Sequence, residues 1–489
     1  MKSLAAVFNG LFAKAKKAFP QERTAQRAWW LAVGLIAGGG KRTIGGAIRS
    51  CLHQFEDWSA KYRVFSRSPW DPRELFQPVL DFCLGLKPAA DVPFAVALDD
   101  TGLKKTGKRI PGAGYQRDPG SPPFRVNLRW GQRYIQASAL ARPEGLSGPA
   151  RAVPIRFEPA PAPKKPKKKS TPEEIAACRQ AMKTENLSCR GVNLIREIRG
   201  KVPVDRTVLF AVDGSYCNGN VLKHLPAGTE VIARTRKDIR LSALPEEVSG
   251  PRKGRKRLYG EDLPTPEELR QDQAVPWQRA QIYGAGKMHD LKYKSLGPVL
   301  WRKGAGTRPL RLFVIAPLGY RKTKNHKLYY RDPAYLLSTD LRSPAPVLIQ
   351  AAFDRWEIEV NHREEKDLMG VGQAQVRSEK SAARVPQFMV CLYSLLLVAS
   401  LKAFGPKRTE DYPALPKWRK AESVRRPSIS DIVARFRQEM MASAMEEISM
   451  HRKNPGQKLV GCMKKGRRTT AEKSIARRLM AAFCASPSG

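Results

Sequence analysis

Two short apolar runs, each closed by aspartate, limit the fold more than any other feature of this chain. Phe94-Ala95-Val96-Ala97-Leu98 runs into Asp99-Asp100-Thr101-Gly102, and Val208-Leu209-Phe210-Ala211-Val212 runs into Asp213-Gly214. Unbroken apolar runs of this length predict strands buried on both faces, as in a sheet covered by helices. Their acids then lie at strand ends, where ligands and catalysts collect in α/β sheets. One such aspartate could be a helix cap and means little. Two of them, joined by a glutamate from a helix packed on the same sheet, would make a cage for hard cations.

The candidate glutamate is Glu359, in Ala351–Gly370. Phe353, Trp356 and Val360 recur at helical spacing and predict an apolar stripe for packing. Spacings of four and seven place Arg355, Glu359, His362, Arg363 and Lys366 along a second, charged stripe. Read alone, that stripe is also what a solvated, salt-bridged helix face looks like.

Around these motifs the chain divides by texture. Residues 1–90 read as short helices, with Arg42–Glu56 placing Ile44, Ile48, Cys51 and Leu52 on one side. That pattern fits a helical DNA-binding domain and a plain helical bundle equally. The string Gly38–Thr43 is no phosphate loop, because Leu35 stands where its first glycine should and Arg42 where its Ser or Thr should. Residues 91–235 carry the two aspartate-closed strands. Phe124–Leu128 and Arg133–Leu140 read as two further strands, turned at Trp130-Gly131-Gln132. Pro154–Ser170 reads as a Pro/Lys linker, either a mobile phosphate-binding arm or a solvated spacer. Thr171-Pro172-Glu173-Glu174 opens a helix that runs towards Arg199. Residues 236–343 read as a mostly β insertion, with a basic run at Arg252–Arg257 and a hairpin-like pair, Leu310–Pro317 and Lys327–Ser338. Residues 344–403 return to the main fold with the Glu359 helix and an apolar helix around Phe388–Leu401. Residues 404–489 are basic and helical, with Ser428-Ile429-Ser430-Asp431 as a cap and basic segments at Lys464–Arg468 and Lys473–Arg478.

Lys and Arg number 88 against 45 Asp and Glu, a formal charge of +43. An excess of this size exceeds what solubility needs and attracts a polyanion, nucleic acid first, with an anionic membrane surface or ribosome as other takers. The eight cysteines contain no CxxC pair, so neither a zinc site nor a disulfide framework is indicated, and a reducing compartment fits. The N-terminus lacks the pattern of a signal peptide. The apolar run Phe388–Leu401 is shorter than a bilayer requires and ends at Lys402. A cytoplasmic, nucleoid-associated protein is expected, without a membrane partner.

The three acidic motifs, in this order, resemble those of DDE transposases of bacterial insertion sequences, the cut-and-paste group with a Tyr-Arg-Glu-Lys signature. Ala97–Gly102 and Phe210–Gly214 resemble the first two motifs. Arg355-Trp356-Glu357-Ile358-Glu359, with Lys366 following, resembles the third. The signature tyrosine would fall at Ala352, with only Phe353 beside it, so its DNA contact is not carried over. The resemblance spans about 91–403. It implies an α/β, RNase H-like mixed sheet with flanking helices, interrupted by a β-rich insertion, between helical N- and C-terminal parts.

It further implies catalytic and metal-binding roles for Asp100, Asp213 and Glu359, with Asp99 as the second choice for the first ligand. Two Mg²⁺ ions, replaceable by Mn²⁺, would act on double-stranded DNA: the terminal inverted repeats and the target. Arg355, Lys366 and Arg363 would contact DNA, and synapsis of two ends implies a dimer on DNA. Trp301, with Trp277, is a candidate to stack on an unpaired base, or else belongs to the core of the insertion. An RNase H-like nuclease without strand transfer, and an inactive DNA-binding derivative, share much of this pattern.

Overall fold

The computed structural model describes residues 3–453 except 87–91, 119, 123, 144–147, 164, 167, 247–256, 324 and 419–425, and leaves out the side chains of 443–453. Part of the Lys164–Lys169 run, most of Arg252–Arg257 and both C-terminal basic segments lie outside the described residues.

Six helices come first: α1 (Leu4–Ala15), α2 (Glu22–Ala37), α3 (Ile44–Ser50), α4 (Trp58–Ser66), α5 (Pro72–Leu75) and α6 (Gln77–Gly85). Arg42, in the glycine string after α2, donates from Nη1 to the carbonyls of Leu35 and Ile36, so it closes the end of that helix. Strands β1 (Phe94–Lys104), β2 (Ala113–Arg117), β3 (Leu128–Ala141) and β4 (Arg151–Pro159) follow. Helices α7 (Pro172–Thr184) and α8 (Leu187–Lys201) lead to β5 (Val208–Val212), α9 (Gly219–Leu222) and β6 (Thr229–Arg234). Thr171 caps α7 as expected, and with Glu174 it forms a reciprocal capping box.

The next stretch holds β7 (Leu241–Ser242), β8 (Asp262–Leu263), α10 (Pro266–Gln271), β9 (Gln278–Gly284), β10 (Lys287–Leu300), β11 (Pro309–Ile315), β12 (Gly319–Tyr320), β13 (Tyr329–Tyr330) and β14 (Ala334–Ser338). Helices α11 (Ala345–Asp354), α12 (Glu357–Asp367), α13 (Glu379–Phe404) and α14 (Ile429–Lys453) are the last elements among the described residues.

The main sheet has the order β2-β3-β1-β5-β6-β14-β11-β10-β7-β8, with β4 beside β3 and β9 beside β10. β1, β5 and β6 are parallel, β3 is antiparallel to β1, and β14 is antiparallel to β6. A mixed sheet of this order with helices on both faces is the RNase H-like arrangement. The strands of 236–343 that follow β6 continue the sheet, so β11 again points the same way as β5.

Three strand expectations need correction. β1 does not stop at Leu98: its parallel partner ends at Val212, but antiparallel pairing with β3 carries it on to Lys104. The acids therefore sit within the strand. Trp130-Gly131-Gln132 is no turn but the interior of β3, and 124–127 lies outside any strand. Gly131 is there for close approach, since a Cβ would meet the Leu103 carbonyl at 2.4 Å. Pro154 to Pro159 belongs to β4 rather than to a linker. Prolines are tolerated there because β4 is an edge strand, and Pro154 sits at a register shift opposite Ser138.

Helix α13 is 26 residues long and apolar enough to cross a bilayer by length and composition, yet 78% of its most apolar window is buried inside the protein. Its apolar surface is used by the protein's own core: Phe65 and Trp70 pack edge-on against Phe388, with ring centroids 5.4 and 6.3 Å away. Phe8 of α1 meets Phe436 of α14 in the same way. Glu439 of α14 accepts hydrogen bonds from the amides of Leu4 and Ala5, which caps α1. The terminal helices thus share one core with α13 and the sheet.

Candidate active site

β1 and β3 decide which acid faces which helix. Side chains alternate along a strand, and Asp99 is paired with Gln136 while Asp100 is paired with Ile135. Gln136 and its face-mate Ser138 meet Asn361 of α12, with Ser138 Oγ 3.0 Å from Asn361 Oδ1. Two positions past Asp99, Thr101 Oγ1 accepts from Lys366 Nζ at 3.0 Å. Asp99 itself receives Arg355 Nη1 on Oδ2 at 3.1 Å. Ala97, Asp99 and Thr101 therefore look towards α12. Asp100 looks the other way, on the face where Leu98 meets Gly191 of α8, and lies 3.4 Å from the Arg133 guanidinium.

Arg355 also reaches Glu359, whose Oε1 is 3.0 Å from Nη2. One guanidinium thus joins Asp99 on β1 to Glu359 on α12. Asp213 follows the last residue of β5, one position beyond the Leu98–Val212 pair. Burial, opposed by Arg355 and reinforced by the charges of Asp100 and Asp213, pushes the Asp99 carboxyl up to about 7. Asp100 is also raised by burial, with Arg133 opposing and Asp213 adding to the rise. Asp99 and Asp100 thus lie near enough to Asp213 for its charge to raise both, although they point to opposite faces of β1, and Arg355 links Glu359 to Asp99.

Among the described residues, no group of three or more His, Cys, Asp or Glu is arranged to hold a metal ion. The donor set nevertheless suits a hard cation, being carboxylates crowded and half-buried beside one another. Arg355 takes the place of positive charge between Asp99 and Glu359. Chelation by both would require its guanidinium to turn aside.

The helix that carries Glu359 departs from the expectation of one continuous, apolar-striped element. Ala351–Gly370 is not one helix: α11 ends at Asp354 and α12 starts at Glu357, with a tight junction closed by Trp356 N–H to the Phe353 carbonyl at 3.2 Å. Trp356 is 62% exposed, so the Phe353–Trp356–Val360 stripe is not the packed face. The packed face is largely polar: Ile358, Asn361, His362, Glu364 and Glu365. Tyr393 of α13 donates to Glu364 at 2.6 Å and accepts from Asn361 at 2.9 Å. His362 is therefore no member of a solvent stripe; burial, aided by the positive charges of Lys366 and Arg355, pushes it down to about 3 and keeps it neutral. Arg363 is exposed, and burial lowers Lys366.

Beyond α12, Lys105 at the foot of β1 donates to the carbonyls of Gly372 and Ala374, each at 2.8 Å. This fixes the loop after α12 to the strand that bears the acids. Trp301 packs against the core, and Gly304 leaves room for its ring, which a Cβ would meet at 1.9 Å. Lys294 lies over Trp277, 4.8 Å from its ring centroid.

The buried Glu365, which no sequence pattern singles out, gives α12 a pH dependence. Burial pushes it up to about 8, against the pull of Gln136 and Lys366. In the unfolded chain a glutamate ionises at about 4.3. Its contribution to stability is full below that value and is lost as pH rises through about 8. Urea midpoints of the wild type and Glu365→Gln at pH 5 and pH 8 should show the wild type losing about 1–3 kcal/mol more than the variant over that interval.

No curated protein matches the chain. The family model described as DDE superfamily endonuclease matches residues 16–308, a span that takes in Asp99, Asp100 and Asp213 and ends before α12. On that match, over more than half its length and over the strands that carry its aspartates, this chain belongs to the DDE superfamily endonuclease family.

Proposed function

We propose that the protein is a Mg²⁺-dependent DNA transposase that cuts phosphodiesters at the ends of a mobile element and joins the freed 3′ ends to target DNA. The observation that carries this reading is the Arg355 bridge from Asp99 on β1 to Glu359 on α12, with Asp213 one position past the end of β5, level with Asp99. In this reading Asp99 takes the place that the motif pattern assigns to Asp100, because Asp99 shares a sheet face with α12. Asp99, Asp213 and Glu359 would hold one or two Mg²⁺, or Mn²⁺. When bound, such ions supply an activated water and neutralise charge on the phosphate being displaced.

The chain's own residues do the rest. Arg355, released from its carboxylates, and Lys366 would bind the non-bridging oxygens of the scissile phosphate, with Arg363 on an adjacent phosphate. Asp100, held by Arg133 on the far face, would keep local charge balanced without touching the substrate. Residues 91–235 and 344–403 form the catalytic core in this reading, 236–343 an insertion, 1–90 a DNA-binding part and 404–489 a basic tail. Two copies would pair the element ends.

A second reading draws on one feature. The closed Arg355 bridge is the arrangement expected of a DNA-binding derivative that no longer loads metal. One assay separates the alternatives: a labelled duplex carrying the inverted repeats that flank the coding region, incubated with Mg²⁺. Joined products support the transposase, cleavage alone a nuclease, and retention alone the binder. In the first two cases Asp213→Asn should lower cleavage by about 10³-fold, the equivalent of about 4 kcal/mol of transition-state stabilisation, with DNA retention undiminished. Cleavage unchanged in that variant ends the reading.

A further inference from the structure

The hairpin formed by β12 and β13 stands apart from the main sheet as a two-stranded ribbon, with Gly319 paired to Tyr330 and Tyr320 to Tyr329. From Gly319 to Arg331 the sequence holds Arg321, Lys322, Lys324, Lys327 and Arg331 with no Asp or Glu. Aromatic rings organise three of these cations, Lys322, Lys327 and Arg331. Lys322 and Lys327 lie 5.1 and 5.4 Å from the Tyr329 ring centroid, and Arg331 lies 5.5 Å from that of Tyr320. His326 stacks on Tyr329, and Arg321 braces the turn by donating to the His326 carbonyl at 2.6 Å. Tyr330 is 66% exposed. A run of cations with no acid in the segment, laid along tyrosines in a ribbon, suits a polyanion.

The position of the ribbon matters as much as its charge. It leaves the sheet from the C-terminal end of β11. Pairing through β14 and β6 makes β11 run the same way as β5 and β1. The register aligns Val212 with Ala233, Leu337 and Leu312 in turn, so Phe313 is level with Asp213 and the chain rises beyond it. The ribbon therefore leaves the edge that carries the acids. Three strand spacings, about 14 Å, separate β5 from β11. That is close to the width of a DNA major groove, about 12 Å, which also admits a two-stranded ribbon.

We infer that the Gly319–Arg331 ribbon is a duplex-DNA clamp, contacting phosphates about one groove away from the phosphate seated over Asp213. This inference rests on the reading of DNA as substrate, but its test does not depend on cleavage. Binding of a fluorescein-labelled mixed-sequence 40-bp duplex to the full chain is followed by anisotropy in EDTA over a series of salt concentrations. The triple variant Lys322→Ala, Lys327→Ala, Arg331→Ala should bind at least 30-fold more weakly at 0.1 M salt. Its log-log salt slope should be shallower by about two to three, at about 0.9 per lost phosphate contact. Lys322→Arg with Lys327→Arg should keep the wild-type slope.

An unchanged slope in the Ala variant overturns the inference, as does a loss in the Arg variant equal to that in the Ala variant. A loss seen on a single-stranded 40-mer but not on the duplex also overturns it. Thermal melting of each variant confirms that the main sheet is intact. If the wild type fails to cut DNA in Mg²⁺ yet shows this slope change, the catalytic reading fails and the clamp stands. Cutting without the slope change removes the clamp and leaves the catalytic reading in place.

Discussion

Asp99→Asn is expected to lower DNA cleavage by about 10³-fold, while Asp100→Asn stays within about 10-fold of the wild type. The two residues are neighbours of the same type, and the sequence favours neither by burial or charge. The sheet separates them. Asp99 shares its face with Thr101, which is tied to Lys366, and it takes Arg355 directly; Asp100 lies on the opposite face and takes Arg133. Asn is nearly isosteric and can still accept the Asp100 amide that now donates to Asp99 Oδ1 at 2.8 Å, so loss of activity would report loss of charge rather than of fold. Single-turnover cleavage of the labelled duplex in Mg²⁺, with duplex affinity measured alongside in EDTA, checks the pair. Equal losses in both variants would mean that the two carboxylates act together, and a larger loss at Asp100 would reverse the assignment.

What could be read from the sequence follows a physical pattern. β5 was legible because Val208–Val212 is buried throughout, and an unbroken apolar run has few other uses. The helix start at Thr171 was legible because the signals of a cap are local. β3 was divided in two because Trp130-Gly131-Gln132 has the composition of a turn, while the reason for Gly131 is a carbonyl on another strand. β4 was hidden behind prolines that only an edge strand accepts. The packed face of α12 was illegible for a deeper reason: it consists mostly of Asn361, His362, Glu364 and Glu365, whose burial depends on partners as distant as Tyr393 and Gln136. Periodicity therefore selected Trp356, which is exposed, and placed His362 in solvent, where it is not. Glu359, Arg363 and Lys366 are legible in that helix, while Glu364 and Glu365 and the direction it faces are not.

Arg142→Ala is expected to cost about 3–5 kcal/mol of folding stability, the largest effect foreseen for a residue outside the acidic cluster. Arg142 follows the last residue of β3 and reaches Asp354, the last residue of α11, with Nε 2.6 Å from Oδ2 and a second bond from Nη2 to Oδ1. Both side chains are nearly excluded from solvent, at 12% and 8% exposure. Burial raises the Asp354 carboxyl even with Arg142 present, so without the guanidinium the charge would be left with Gln350 alone at 2.9 Å.

The variant should then hold the proton of Asp354 to a higher pH. A carboxyl whose folded value lies above its unfolded one contributes stability at low pH and loses it as pH rises, so the deficit of Arg142→Ala should shrink between pH 7.5 and pH 5. Urea midpoints at the two values test this, with Asp354→Asn, which removes the charge and keeps the shape, expected to fall less. Because Arg355 is the next residue, a loosened Asp354 should also release the hinge between α11 and α12. Cleavage in Arg142→Ala should accordingly fall further than the fraction of unfolded protein explains. A pH-independent deficit, or cleavage that tracks the folded fraction alone, would show that the Arg142–Asp354 pair holds the fold without positioning the helix that bears Glu359.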